Sequence, residues 1–169
     1  MKDILIISAT LSNNYSLSKA LLDLLKELDK DSTLISLENY KLPIYTDNVF
    51  EKEKNSYKET IESLTQQFIN HKGLIICGPE YNGSIPPIIN NAIAWISTST
   101  DYWRDAFKGK TALIGTSSGG AGNKFITTMK IQLEHLGCIV MPNSISANDS
   151  HPLNPKTTSK ILSQFIKRL

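Results

Sequence analysis

Polar and glycine residues gather in three short stretches, each of a kind that can hold a small ligand. The first is Ser8-Ala9-Thr10-Leu11-Ser12-Asn13-Asn14-Tyr15-Ser16, directly ahead of an apolar-periodic segment. Hydroxyls and unpaired N–H groups at the start of a helix form a phosphate cradle that needs no metal. Plain helix capping by Ser16 explains the same residues, and with no arginine in the loop this stretch alone favours capping. The second is Gly78-Pro79-Glu80-Tyr81-Asn82-Gly83-Ser84-Ile85-Pro86. Its prolines limit flexibility and Asn82-Gly83 signals a turn, so a rigid turn can aim N–H groups at the polar edge of a planar heterocycle. The plainer reading is a strand-to-helix connection capped by Ser84. The third is Gly115-Thr116-Ser117-Ser118-Gly119-Gly120-Ala121-Gly122-Asn123, whose glycines permit close backbone approach to a ligand. Gly115 and Gly120 have the spacing of a nucleotide-hydrolase phosphate loop, but Ala121 stands where lysine is required. No Gly-x-Gly-x-x-Gly follows the first strand, so a dinucleotide-binding Rossmann domain is disfavoured as well.

Other chemistry is poorly supported. His71, His135 and His151 are isolated, and the first two sit near expected helix C-termini, where the helix dipole accounts for them. Cys77 lies in an apolar run and reads as a buried structural thiol. With Cys138 it makes neither a disulfide framework nor a ligand set, so a reducing cytoplasm is expected and no metal. Lys and Arg number 18 against 16 Asp and Glu, without a basic stripe, which argues against a nucleic-acid binder. The apolar runs are far shorter than the ~20 residues of a membrane span. Met1-Lys2-Asp3 leads straight into a strand, so no signal peptide is expected. Trp95 and Trp103 read as packing residues, with Tyr102-Trp103 in a segment that can fringe a site.

The elements that must carry these loops alternate regularly. A length of 169 residues fits one domain, 1–169. Ile4-Leu5-Ile6-Ile7 and Leu74-Ile75-Ile76-Cys77 are continuous apolar runs, the pattern of parallel strands buried on both faces. Further strands are expected at Thr33–Leu37, Lys110–Gly115 and Cys138–Met141. Leu17, Leu21, Leu24, Leu25 and Leu28 share a helical face, as do Tyr57, Ile61, Leu64 and Phe68, with Gly73 ending that second helix. A helix follows over Pro86–Ser97, another carries Phe125, Met129, Leu133 and Leu136, and the last carries Ile161, Leu162, Phe165, Ile166 and Leu169. Residues 38–55 read as an irregular excursion. Right-handed crossovers then give a doubly wound α/β parallel sheet of five strands, order 2-1-3-4-5, with helices on both faces. Its ligand site lies beyond the carboxyl ends of strands one and three, where the three loops emerge.

Pro79-Glu80-Tyr81-Asn82-Gly83-Ser84-Ile85-Pro86, continued through Asn90-Asn91-Ala92-Ile93-Ala94-Trp95, resembles the signature of the NADPH-dependent FMN reductase family, which includes quinone, azo-dye and chromate reductases. The resemblance in element order covers nearly the whole chain, including Leu42-Pro43 after strand two. It implies a flavodoxin-like fold, noncovalent FMN, NADPH or NADH as cosubstrate, a small-molecule acceptor, and homodimers or homotetramers. Carried over by position, Pro79, Glu80, Tyr81, Asn82, Gly83 and Ser84 contact the isoalloxazine ring on one side. Ser117, Gly119, Gly120 and Gly122 form its other side. Thr10, Ser12, Ser16, Leu17 and Ser18 fall in the phosphate loop. There the sequence departs from the family: Ser12 holds the usual arginine position and Ser18 the usual asparagine position. No catalytic acid, base or nucleophile is expected, because flavin carries the chemistry. The family reading has nicotinamide passing hydride to flavin N5, after which a quinone, azo compound or flavin takes its place. The competing readings are a flavodoxin-like electron carrier, which the near-neutral charge disfavours, and a flavin-binding or regulatory module without turnover. Ile88, Ile89, Ala92, Ile93 and Ile96 with Ala94 and Trp95 make the third helix apolar most of the way round. Such a helix is either sunk within one subunit or shared with a partner, and the resemblance favours a dimer using it.

Overall fold

Residues 2–169 are described by a computed structural model; Met1 lies outside the described residues. The branched run near the start forms β1 (Lys2–Ser8), flanked by β2 (Ser32–Ser36) and β3 (His71–Cys77), both parallel to it. β4 (Thr111–Ser117) pairs with β3, and β5 (Ile139–Val140) with β4, completing the order β2-β1-β3-β4-β5. Side chains alternate across the sheet, as a pleated backbone requires. Leu5, Ile7, Leu74, Ile76, Ala112 and Ile114 meet α3 (Lys58–Ile69), α4 (Pro87–Thr98) and α5 (Asn123–His135) on one face. Ile4, Ile6, Ile75, Cys77 and Leu113 meet α1 (Asn13–Glu27) and α6 (Pro155–Ile166) on the other.

Several local expectations are corrected. The fifth strand is broken: β5 stops ahead of Pro142, which has no N–H to donate, and pairing with β4 resumes in β6 (Ile145–Ala147). Gly73 lies inside β3 and does not end α3, whose C-cap is Asn70. A Cβ at Gly73 would stand 2.5 Å from Leu169 and 2.7 Å from Phe165, so the glycine is there to let the end of α6 close on the sheet. α1 starts at Asn13 with Ser12 at the N-cap, four residues ahead of Ser16. α4 starts at Pro87 with Pro86 before it, and Ser84 caps nothing. Ile89, Ala92, Ile93, Trp95 and Ile96 are buried within the subunit, so most of the apolar girth of α4 is used internally.

The excursion after β2 is more ordered than its sequence implies. Leu37–Asn39 forms a 3-10 turn, and α2 (Asp47–Glu53) is capped by Thr46, whose Oγ1 accepts from Val49 N at 3.1 Å. Between them the backbone is tied to α4. Asn91 accepts from Tyr45 N at 2.7 Å and donates to Pro43 O at 2.9 Å, and Trp95 Nε1 donates to the same carbonyl at 2.8 Å.

Candidate active site

Two backbone bonds carry the ladder past the strand ends. Ala9 N donates to Cys77 O at 2.8 Å and Gly78 N donates to Gly115 O at 3.1 Å. The loops after β1, β3 and β4 therefore leave the sheet side by side.

In the first loop, Ser8 Oγ donates to Thr10 O at 2.7 Å, and the Thr10 and Ser12 hydroxyls lie 2.9 Å apart over the start of α1. Among the described residues, the N–H groups of Asn13 and Asn14 have no acceptor, the usual state of a first helical turn. Leu11 N donates to Glu38 Oε2 at 2.9 Å, which braces the loop from the β2 side. Ser16 is exposed on α1. Leu17 and Ser18 turn elsewhere: Leu17 is buried in the core below the sheet, and the buried Ser18 Oγ donates to Asn14 O at 2.7 Å. Because the helix begins early, both residues have rotated onto its inner face, and neither offers its side chain to the loops. Asn14 does what sequence reasoning missed. It is 1% exposed, donates from Nδ2 to Ser117 O at 2.9 Å and accepts from Ser117 N at 2.8 Å.

The second loop contains the expected turn. Tyr81 and Ser84 exchange both backbone bonds, at 3.1 and 2.9 Å, around Asn82 (φ 49°) and Gly83 (φ 72°). Two successive left-handed residues define a type I′ turn, which Asn-Gly suits best. Pro79 is buried beneath it, while Tyr81, Asn82 and Ser84 face outwards. Glu80 is directed away from the open side. Its N–H donates to Ser118 Oγ at 2.8 Å, and its Oε2 accepts from Lys124 N at 3.0 Å. The Lys124 side chain lies along the turn, its Cδ 3.1 Å from where a Gly83 Cβ would be.

In the third loop Ser117 is held by Asn14 and Ser118 by Glu80, with Thr116 Oγ1 3.0 Å from Ser118 Oγ. Nothing lies within 4 Å of a Cβ built on Gly119 or Gly120, so this backbone borders open space. Gly122 is different. It is buried, left-handed at φ 65°, and a Cβ there would meet Thr116 at 2.7 Å. Its role is to start α5. Ser146 Oγ donates to Ala121 O at 2.8 Å, so β6 supports the loop from outside.

The remaining reactive side chains stand apart. Burial pushes the Cys77 and Cys138 thiols up to about 12, which leaves them protonated. His71 opens β3, and its buried Nδ1 donates to Gln67 O at 2.6 Å in the last turn of α3, the helix-end partnership expected of it. His135 ends α5 and lies 5.3 Å from the Trp103 ring, so Trp103 belongs to the end of α5 opposite the loops and does not fringe them. Among the described residues, no group of three His, Cys, Asp or Glu can hold a metal ion, and no helix is long and apolar enough to cross a membrane.

Comparison with known proteins agrees with this arrangement. The family profile described as NADPH-dependent FMN reductase matches residues 2–152. An uncharacterized protein of Mycoplasma pneumoniae is 33% identical over 96 residues, 57% of this chain and 53% of its own length. A quinone reductase of Escherichia coli K12 is 38% identical over 79 residues, 47% of this chain and 39% of its own. The matched part thus spans about half or less of these relatives. The fold is shared with FerB, a flavoenzyme NAD(P)H:acceptor oxidoreductase of Paracoccus denitrificans, at a TM-score of 0.76 and 23% identity, covering 99% of this chain and 96% of the other. With most of its length matched by the family profile and its sheet wound in the flavodoxin-like order, the chain belongs to the NADPH-dependent FMN reductase family.

Proposed function

We propose that the chain binds FMN noncovalently across its three loops and acts as an NAD(P)H-dependent oxidoreductase on a small acceptor, with quinones the favoured class. The observation that carries this reading is the pairing of two unlike subsites at one sheet edge. One is a helix start with free N–H groups and two hydroxyls; the other is a rigid Asn-Gly turn facing an open glycine backbone. Thr10, Ser12 and Ser16 with the N–H groups of Asn13 and Asn14 suit a phosphate. Tyr81, Asn82, Gly83 and Ser84, opposite Ser117, Gly119 and Gly120, suit the ring, with Pro79, Glu80 and Gly122 as the frame beneath. When bound, FMN supplies two-electron transfer from nicotinamide to acceptor. The protein's part is to hold the ring edge against backbone dipoles and to leave one face open for two ligands in turn. No side chain in the loops is needed as acid, base or nucleophile.

Assembly as a homodimer or homotetramer and residence in the cytoplasm belong to the same reading. For assembly, the support is the outer face of α4, where Pro87 and Ala94 adjoin Ile44, which is 80% exposed. Purified protein should be yellow, release FMN on denaturation, and oxidise NADPH or NADH steadily when a quinone is added. A colourless protein that takes up no added FMN would sink the proposal. Bound FMN without turnover would favour the carrier or regulatory reading instead.

A further inference from the structure

We infer that Asn14 is a positioning residue that fixes the distance between the phosphate end and the ring end of the flavin site; the inference rests on the reading of the loops as an FMN site. Asn14 lies in the first turn of α1, beside the N–H groups proposed for phosphate, yet its amide is spent on Ser117 in the ring-side loop, 103 residues away. One carboxamide meets both backbone groups of Ser117, donating to its carbonyl and accepting from its N–H. At 1% exposure neither bond can be replaced by water, so the two loops are joined at a single spacing. The staple continues on the far side. Ser118, next along, accepts from Glu80 N and so ties the same loop to the Asn-Gly turn. Asn14 thus gives the start of α1 a direct hydrogen-bonded link to the residue that leads into the open Gly119-Gly120 segment.

A ligand that grips two subsites gains over its halves only while those subsites keep a fixed relation, because each subsite then raises the effective concentration of ligand at the other. FMN spans both ends; riboflavin has the same ring without the phosphate. A residue that only stabilised the fold would change the fraction of folded protein and leave the ratio of the two affinities alone. Asn14, by contrast, governs that ratio.

The test is calorimetric titration of the flavin-stripped full chain with FMN and with riboflavin, in parent and Asn14→Ala, at a temperature where both are folded. In Asn14→Ala the FMN affinity should fall at least tenfold and the riboflavin affinity less than threefold, collapsing the preference for FMN. Asn14→Ser, which keeps a hydroxyl at this position, applies the same ratio test if the alanine variant does not fold. An FMN-to-riboflavin ratio equal to that of the parent, whether both affinities drop together or neither does, overturns the inference. So does a parent that binds the two flavins equally. A parent that binds neither flavin removes the reading of the site itself, and the inference with it.

Discussion

Glu80 and Lys124 meet through the backbone: the Glu80 carboxylate accepts from the Lys124 N–H at 3.0 Å, while the Lys124 side chain runs along the turn beyond Glu80. An acidic side chain from the second loop thus serves as the anion at the start of α5, where no residue of the helix itself provides a cap. Glu80→Ala should cost about 0.5–2 kcal/mol, the range of a lost N-terminal cap. Glu80→Gln should cost less, since an amide oxygen still accepts. Urea unfolding of the flavin-free protein measures both, and an alanine variant as stable as the parent would show that the cap contributes nothing.

Gly83 and Gly119 should separate fold from ligand. Gly83 is left-handed and a Cβ there would crowd Lys124, so Gly83→Ala should destabilise the flavin-free protein by about 1–2 kcal/mol. Gly119 has open space around it, so Gly119→Ala should leave the melting temperature nearly unchanged while weakening FMN retention. The reverse pattern, with Gly119→Ala unfolding first and binding FMN normally, would place the ring elsewhere.

Ser12 stands exposed at the N-cap of α1, with no side-chain bond to the helix. The nearby Lys19 ammonium lies over the Tyr15 ring at 5.4 Å. Ser12→Arg should add a charge-assisted bond to phosphate, worth about 1.5–3 kcal/mol, and tighten FMN about tenfold or more. Part of that gain is exposed Coulomb attraction and should shrink with salt. Fluorescence quenching at low and high ionic strength reads both effects. Unchanged affinity in a folded variant would mean that position 12 does not face the phosphate.

Cys77 and Cys138 should govern alkaline stability. Both thiols are raised by burial from 9.0 to about 12 in the folded chain, so above about pH 9 the unfolded state binds fewer protons than the folded one. Their contribution is present in full below pH 9 and is lost progressively as pH rises towards 12. Native protein should resist a thiol reagent that labels both residues in urea. Stability of Cys77→Ala should fall less steeply than the parent's between pH 9 and 10.5; identical slopes would deny Cys77 its share.

The strands, the turn and the family were legible because each writes itself locally. Ile4–Ile7 and Leu74–Cys77 are apolar on both faces because parallel strands are covered on both, and Asn82-Gly83 carries its own backbone geometry. What was not legible depends on distant partners. Asn13-Asn14-Tyr15 looks like loop, and only the Ser117 amide group explains a buried Asn14 inside a helix. Glu80 reads as a ring contact until the start of α5 is brought against it. Gly73 resembles a helix stop because its reason, the close approach of Phe165 and Leu169, lies at the other end of the chain.

The hydrogen bonds from Asn91 and Trp95 to the 43–45 segment go to its backbone, and the Tyr45 ring packs edge-on against Trp95 at 5.3 Å. Ile44 stands exposed between two anchored neighbours, beside the helix that follows the Asn-Gly turn. Heritable change at position 44 can therefore alter the exposed surface beside α4 without shifting the backbone that holds it. A changed surface at position 44 and an unchanged anchorage at Asn91 and Trp95 are compatible in one chain.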